Sequence, residues 1–220
     1  MLTFATLNIT GPDAFEFLQG QLTNDLRRLE DRDEILAAWC NPKGRVIWFG
    51  AVRAIDGGYS LNVPVEIADD VQRRLTMFRF RSKVEFERVD TGGTVDPAAL
   101  VAEGLPYIGR EQSEQFTPHM LNLDLLNAIS LDKGCYTGQE VVARTHYKGA
   151  TKRRTLRFTS ATAVSVGDKV QRDGRDVGEV LNVAGTELLA VVPVADADAG
   201  LTAGGVALKR KPLPGIEIPG

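Results

Sequence analysis

Residues 133–140 read Lys-Gly-Cys-Tyr-Thr-Gly-Gln-Glu and run straight into Val141-Val142-Ala143-Arg144. Eight positions hold two glycines, a thiol, a phenol, a carboxamide and a carboxylate. A strand gains nothing to pack from Gly134 and Gly138, and each would cost a helix interior about 1 kcal/mol relative to alanine. The stretch is therefore a shaped loop, its glycines placed where the chain turns tightly or approaches something closely. Val141 to Arg144 suit a short helix or strand that anchors it. The chemistry centres on Cys135, since a thiol becomes a nucleophile or metal ligand as thiolate, a form that nearby positive charge favours. Lys133 and Arg144 are the cations at hand. The plainer alternative is that Cys135 is a small buried hydrophobe, as unpaired cysteines often are.

The run KGCYTGQE followed by VVARTHYKGATKRR resembles the signature of the YgfZ-type folate-binding proteins, relatives of the glycine-cleavage aminomethyltransferase that are implicated in iron–sulfur enzyme maintenance. The motif is long and specific. Three further stretches are similar to that family: GPDAFEFLQGQLTNDL (residues 11–26), NPKGRV (41–46) and FTPHMLNLD (116–124).

Overall composition neither adds to nor opposes this reading. At 220 residues, 43% hydrophobic and 25% charged, the chain has ordinary globular composition and room for one large or two small domains. A net charge of −3 gives no global attraction to nucleic acid. The N-terminal MLTFATLNIT lacks the basic and small-residue features of a signal peptide, and apolar runs such as Leu188–Val192 are too short to span a bilayer. Two cysteines make no disulfide framework. The expectation is a cytoplasmic protein without membrane or nucleic-acid partners. His119 and His146 lie far apart in sequence and match no metal-ligand spacing, so no metal site is expected.

Leu2 to Ile9 alternate as an opening strand. Thr10-Gly11-Pro12-Asp13 then starts a helix whose apolar face is Ala14, Phe15, Phe17, Leu18 and Leu22. Gln19, Gln21, Thr23, Asn24 and Asp25 gather at its end. Read as residues they form a solvated terminus; the resemblance implies that they border a central cavity. Glu34–Cys40 is a strand, Asn41–Gly44 a turn, and Arg45–Ile55 with Tyr59–Val63 a hairpin closed at Asp56-Gly57-Gly58. The aminomethyltransferase relatives carry an acidic residue on this hairpin. Here Val46-Ile47-Trp48-Phe49 has no carboxylate, which argues against aminomethyl transfer. Trp48 is core or stacks on a flat heterocycle. Val65 to Phe78 read as an amphipathic helix. The basic series Arg73, Arg74, Arg79, Arg81 and Lys83 is a solvated face or an anion rim. Lys83–Val89 is a strand. Thr91–Thr94 is a loop and Pro97–Glu103 a short helix ended by Gly104. The family carries further sheet and helix here, whereas this chain passes directly from Val84 to Gly104, which opens or rebuilds one wall of the cavity.

From Thr151 onward short alternating segments separated by turns point to a small β-barrel, which is also what the resemblance implies. The fold class is therefore α+β: a shortened GcvT/YgfZ-type folate-binding domain at 1–149, then a small C-terminal barrel and tail at 150–220. The resemblance implies a tetrahydrofolate-dependent accessory protein for assembly or repair of iron–sulfur enzymes, not a conventional enzyme. Its functional thiol is Cys135, supported by Lys133 and Arg144. Its folate contacts are Gln21, Asn24, Trp48, Asn122, Tyr136, Gly138, Gln139 and Glu140. Partners are a reduced folate and iron–sulfur enzymes or assembly proteins. A folate-dependent one-carbon transferase and a protein-interaction module that has lost its folate remain as alternatives.

Overall fold

A computed structural model describes residues 1–90, 93–147 and 151–218. The N-terminal body is an antiparallel sheet built from β1 (Leu2–Thr10), β2 (Ile35–Cys40), β3 (Val46–Ile55), β4 (Gly58–Pro64) and β5 (Glu85–Val89), in the order β2-β3-β4-β1-β5. The two-residue β6 (Thr94–Val95) pairs with the start of β1. Period-two alternation makes this sheet two-faced. Ala5, Leu7 and Ile9 of β1 point to one core, and Phe4 is buried on the other side.

Helices α1 (Ala14–Gln19) and α2 (Val65–Met77) cover the first face. In α2 the buried residues Ile67, Ala68, Val71 and Leu75 recur at helical spacing. Burying the larger of them is worth about 1.5–3 kcal/mol apiece. The first helix is shorter than its apolar spacing predicts. Thr10 does not cap it, and the Asp13 carboxylate accepts instead from the Lys83 backbone N–H at 2.6 Å. Leu22 lies beyond its end and bridges to Trp39 of β2. Gln19 causes the early stop: its side chain accepts from the Leu26 N–H and donates to Asp25, tying off a loop where another helical turn would run.

Helix α3 (Pro97–Glu103) begins at Asp96, whose carboxylate accepts from the Ala98 N–H, and ends at a left-handed Gly104, as expected. From residue 105 to 138 the chain forms neither helix nor strand, only successive turns, with Glu114, Asn122 and Asn127 at positive φ. This segment lies over the sheet's second face. There Ala38, Cys40, Val46 and Phe49 pack with Ile108, Phe116, Leu121, Leu123 and Ala128. It then delivers the chain to α4 (Gln139–Tyr147).

The C-terminal strands are β7 (Arg153–Ser160), β8 (Lys169–Arg172), β9 (Arg175–Ala184), β10 (Glu187–Pro193), β11 (Leu201–Ala203) and β12 (Val206–Lys211). They close into a barrel in the order β10-β7-β12-β11-β8-β9. Strand β11, three residues between Gly200 and Gly204, is too short to show alternation in sequence. Leu181, Leu189 and Val191 of the barrel join the core on the sheet's second face, so the two halves share apolar packing. The boundary expected near Gly149 falls outside the described residues. No described helix is long and apolar enough to cross a membrane.

Candidate functional site

The Lys133–Glu140 loop is fixed at several points. Gly138 has φ +84°, and a Cβ there would fall 2.6 Å from the Asn41 carbonyl oxygen and 3.2 Å from the Gly44 Cα. Gly44, at φ +68°, in turn touches Val141. The Asn-Pro-Lys-Gly turn and the loop thus dock glycine against glycine, a contact that side chains would hold apart. Gln139 Oε1 accepts from the Tyr136 N–H at 3.0 Å and closes the start of α4. The Tyr136 ring is buried, and its hydroxyl has no hydrogen-bond partner among the described residues. Burial first, then the neighbouring Cys40, pushes its ionisation up.

Lys133 is buried. Its ammonium donates to three backbone carbonyls, Gln19 at 2.7 Å, Leu22 at 2.6 Å and Asn24 at 2.9 Å, and lies 5.2 Å from the Tyr136 ring centre. Burial brings it down to about 8. This departs from its expected role as the cation beside Cys135: all three N–H groups are committed to the loop after α1. Cys135 itself is exposed. Arg144, also exposed, stands in the last turn of α4. Cys40 is the contrasting thiol, fully buried and pushed up by burial to about 12.

The polar residues after α1 do not form a solvated terminus. Thr23 and Asn24 are buried. Thr23 Oγ donates to the Ala128 carbonyl and accepts from the Ala38 N–H. Asn24 spends its amide on the Leu36 and Asn127 carbonyls, and its own oxygen accepts from the Asp25 N–H. These bonds stitch α1, β2 and the irregular segment together and leave Asn24 nothing for a ligand. Trp48 is likewise withdrawn, being 0% exposed with its N–H on the Asn62 carbonyl; it is core because the β3 bulge turns it inward. Gly138 is packed shut. Gln21 is partly exposed, and its carbonyl oxygen accepts from Trp39 and Thr137. Asn122 is buried; its amide N–H donates to Thr155, while its oxygen has no described partner. Glu140 is exposed. The structure therefore gathers Gln21, Asn24, Lys133, Tyr136, Gly138 and Gln139 around one loop, mostly as its scaffold, and sets Trp48 apart.

The expected basic rim is partly neutralised. Arg74 stacks on Trp39 and forms a forked pair with Glu114, which also accepts from Asn41. Arg74, then Asn41, hold the Glu114 carboxyl below its usual range against the opposing effect of burial. Sequence gave no sign of Glu114, because nothing near residue 114 points back to the turn at Asn41.

Clefts lie elsewhere on the sheet's second face. One of about 160 Å³ is bounded by Phe4, Leu36, Phe49, Asn62 and Tyr107, and Asn62 Oδ1 is buried there without a described partner. A second, of about 300 Å³, shares Leu100 and Tyr107 with it and reaches Arg110 and Asn182. Neither set of lining residues appeared among the sequence candidates; only the folded sheet brings them together.

The fold brings the two histidines together. His119 and His146, distant in sequence, have ring centres 5.9 Å apart. His119 is buried, and burial first lowers its basicity.

A two-faced antiparallel sheet carrying helices, joined through a long irregular segment to a closed six-stranded barrel, defines an α+β fold of the aminomethyltransferase type. The glycine cleavage system aminomethyltransferase T from Bartonella henselae superposes with a TM-score of 0.65 at 15% identity, covering 97% of this chain and 84% of its own. Residues 152–213 match the family model of the CAF17 C-terminal β-barrel domain. The tRNA-modifying protein YgfZ of Klebsiella pneumoniae is 29% identical over 86% of this chain and 79% of its own length, and that of Vibrio atlanticus 27% over 88% and 79%. This chain is similar to the YgfZ proteins over most of its length. The Klebsiella alignment runs to 260 positions against a chain of 220, so the relative holds residues that are absent here.

Proposed function

We propose that this protein is a reduced-folate-dependent accessory factor for the assembly or repair of iron–sulfur enzymes, with Cys135 as its working thiol. The observation that carries the reading is the contrast within one loop: Lys133 and Tyr136 are buried and Gly138 is packed against the Asn41–Gly44 turn, while Cys135 is exposed. Rigid flanks and a free thiol make a presented reactive group, because positioning residues that cannot move hold the sulfur where a partner meets it. A structural cysteine would be buried, as Cys40 is. The relatives are named tRNA-modifying proteins. An accessory role joins that name to an iron–sulfur client if the client enzyme modifies tRNA. This protein then acts on the enzyme and needs no RNA surface of its own, consistent with its net charge of −3.

For the folate, the fit lies in the cleft of about 160 Å³ on the sheet's second face. Phe4, Phe49 and Tyr107 provide aromatic walls, and Asn62 is a polar side chain among the lining residues that can anchor the edge of a reduced pteridine. This moves the ring from Trp48 and Asn24, whose groups are already spent, to residues whose groups are not. The bound folate would supply one-carbon or redox chemistry. The chain supplies the walls, the anchor and the separate thiol. Val46 to Phe49 are buried and apolar, so no acid stands at these hairpin positions for aminomethyl transfer.

The test has two arms. Calorimetry with reduced folates should show saturable binding, stronger than for oxidised folate and weakened roughly tenfold or more in Asn62→Leu, since an anchor hydrogen bond is worth about 1–1.5 kcal/mol or more when its partner is left unpaired. Cys135→Ser should fold and bind folate as wild type does, yet fail to restore iron–sulfur enzyme activity and tRNA modification in cells lacking the protein. Full restoration by Cys135→Ser would remove the thiol role. No folate binding at millimolar ligand would leave a protein-interaction module.

A further inference from the structure

The residues in question are His119, Asp124 and His146. One ligand-type atom from each lies within 4.8 Å of the other two. Both ring nitrogens of His119 are buried without a hydrogen-bond partner among the described residues, and the residue is 2% exposed. A buried imidazole must have one N–H donor and one acceptor, and leaving both unmade is costly. Buried polar groups almost always have partners, so an orphaned one calls for an occupant.

The platform is built in advance. Arg154, at the start of β7, grips Asp124 with a fork of 2.6 and 2.9 Å and also donates to the His119 carbonyl at 3.0 Å. Thr155 donates to the Met120 carbonyl, and Asn122 donates to that of Thr155. The turn from His119 to Asp124 is thereby pinned to the barrel. Each carboxylate oxygen of Asp124 keeps a lone pair beyond its bond to Arg154, and metal-ligating carboxylates are commonly held by such outer partners. His146 approaches from the last turn of α4, a helix C-terminus, where free carbonyls and the helix dipole favour positive charge. It is exposed, so its ring can close the remaining gap by rotation. Arg154 is the opposing charge; its pairing with Asp124 offsets it.

We propose that His119, Asp124 and His146 form a binding site for a divalent first-row transition-metal ion, completed by water. Two imidazoles and one carboxylate are the donor set such ions prefer, and three protein ligands leave open positions. The ion gives the His119 ring its missing partner and ties the end of α4 to the turn that Arg154 pins to the barrel. The site is independent of the folate cleft and of Cys135.

The experiment is titration of the untagged full-length protein with Co²⁺, followed by visible absorption, with Zn²⁺ in competition. One Co²⁺ per chain should bind with the intensified bands of a low-coordinate nitrogen and oxygen site, and Zn²⁺ should displace it. His146→Ala, a change at an exposed residue, should unfold like wild type without metal yet bind roughly tenfold or more weakly. Cys135→Ser should bind unchanged. His119→Gln keeps the volume and removes a ligand, and it should abolish the spectrum. Equal affinity in His146→Ala, or a sulfur-to-cobalt band lost in Cys135→Ser, would overturn the assignment. So would a spectrum no different from that of the aqueous ion.

Discussion

Lys133 decides whether the loop exists. Its ammonium satisfies three carbonyls in the turn after α1. Lys133→Met would leave those acceptors buried and unpaired, at about 1–3 kcal/mol in total after the relief of burying no charge. The pH dependence has a definite sign. The folded value of about 8 lies below the 10.5 of a free lysine. Between the two, the unfolded chain keeps a proton that the folded chain releases, so stability from this group rises with pH across that window. Below about 8 both states are charged and the full cost of burial is present. Urea unfolding of wild type and Lys133→Met at about pH 7 and about pH 9.5 should show wild type gaining on the variant at the higher pH. A constant difference would mean the amine titrates normally. The sequence marked Lys133 as functional by its place in the motif. Its direction inward was not legible, because nothing in eight residues tells which neighbours the fold will supply from residues 19–24.

Among elements, the decisive contact is the docking of the β2–β3 turn on the loop. Gly138→Ala would put a methyl 2.6 Å from the Asn41 oxygen at a φ of +84°. A strained left-handed residue costs about 1–3 kcal/mol, and the clash adds to it. The expected result is faster hydrogen exchange at the amides from Tyr136 to Val142, with β1 and β4 unchanged. Unaltered exchange in the loop would show that the turn does not hold it. Both motifs, Asn-Pro-Lys-Gly and Lys-Gly-Cys-Tyr-Thr-Gly, were legible as loops because glycine and proline punctuate sequence locally. That they touch was not. The strands of sheet and barrel were legible from alternation, and α2 and α3 from spacing and caps. The first helix was overextended because Leu22 continued the apolar period while Gln19 ended it through side-chain bonds that periodicity does not record.

For the whole molecule, the shared core predicts cooperative behaviour. Leu181, Leu189 and Val191 of the barrel pack with Ala38, Val46 and Phe49 of the sheet. Both tryptophans, Trp39 and Trp48, lie in the N-terminal body. Their fluorescence therefore reports that half, whereas far-ultraviolet circular dichroism reports both. The two probes should trace one coincident urea transition. Separate midpoints would mean the halves are energetically independent. A chain ended after Tyr147 should lose the cooperative transition, since it strips Leu181, Leu189 and Val191 from the core on the second face of the sheet.

The ammonium cage of Lys133 also bears on the order of folding. Its acceptors lie 109 to 114 positions earlier in the chain. Closing so distant a pair gains nothing until the intervening sheet has already brought its ends together, and contacts of that separation are slow to form. The thiol loop is therefore assembled late, after the strands it rests on. During synthesis Cys135 emerges from the ribosome long after the turn at residues 19–24, so the protein cannot present a configured thiol before its N-terminal sheet is in place.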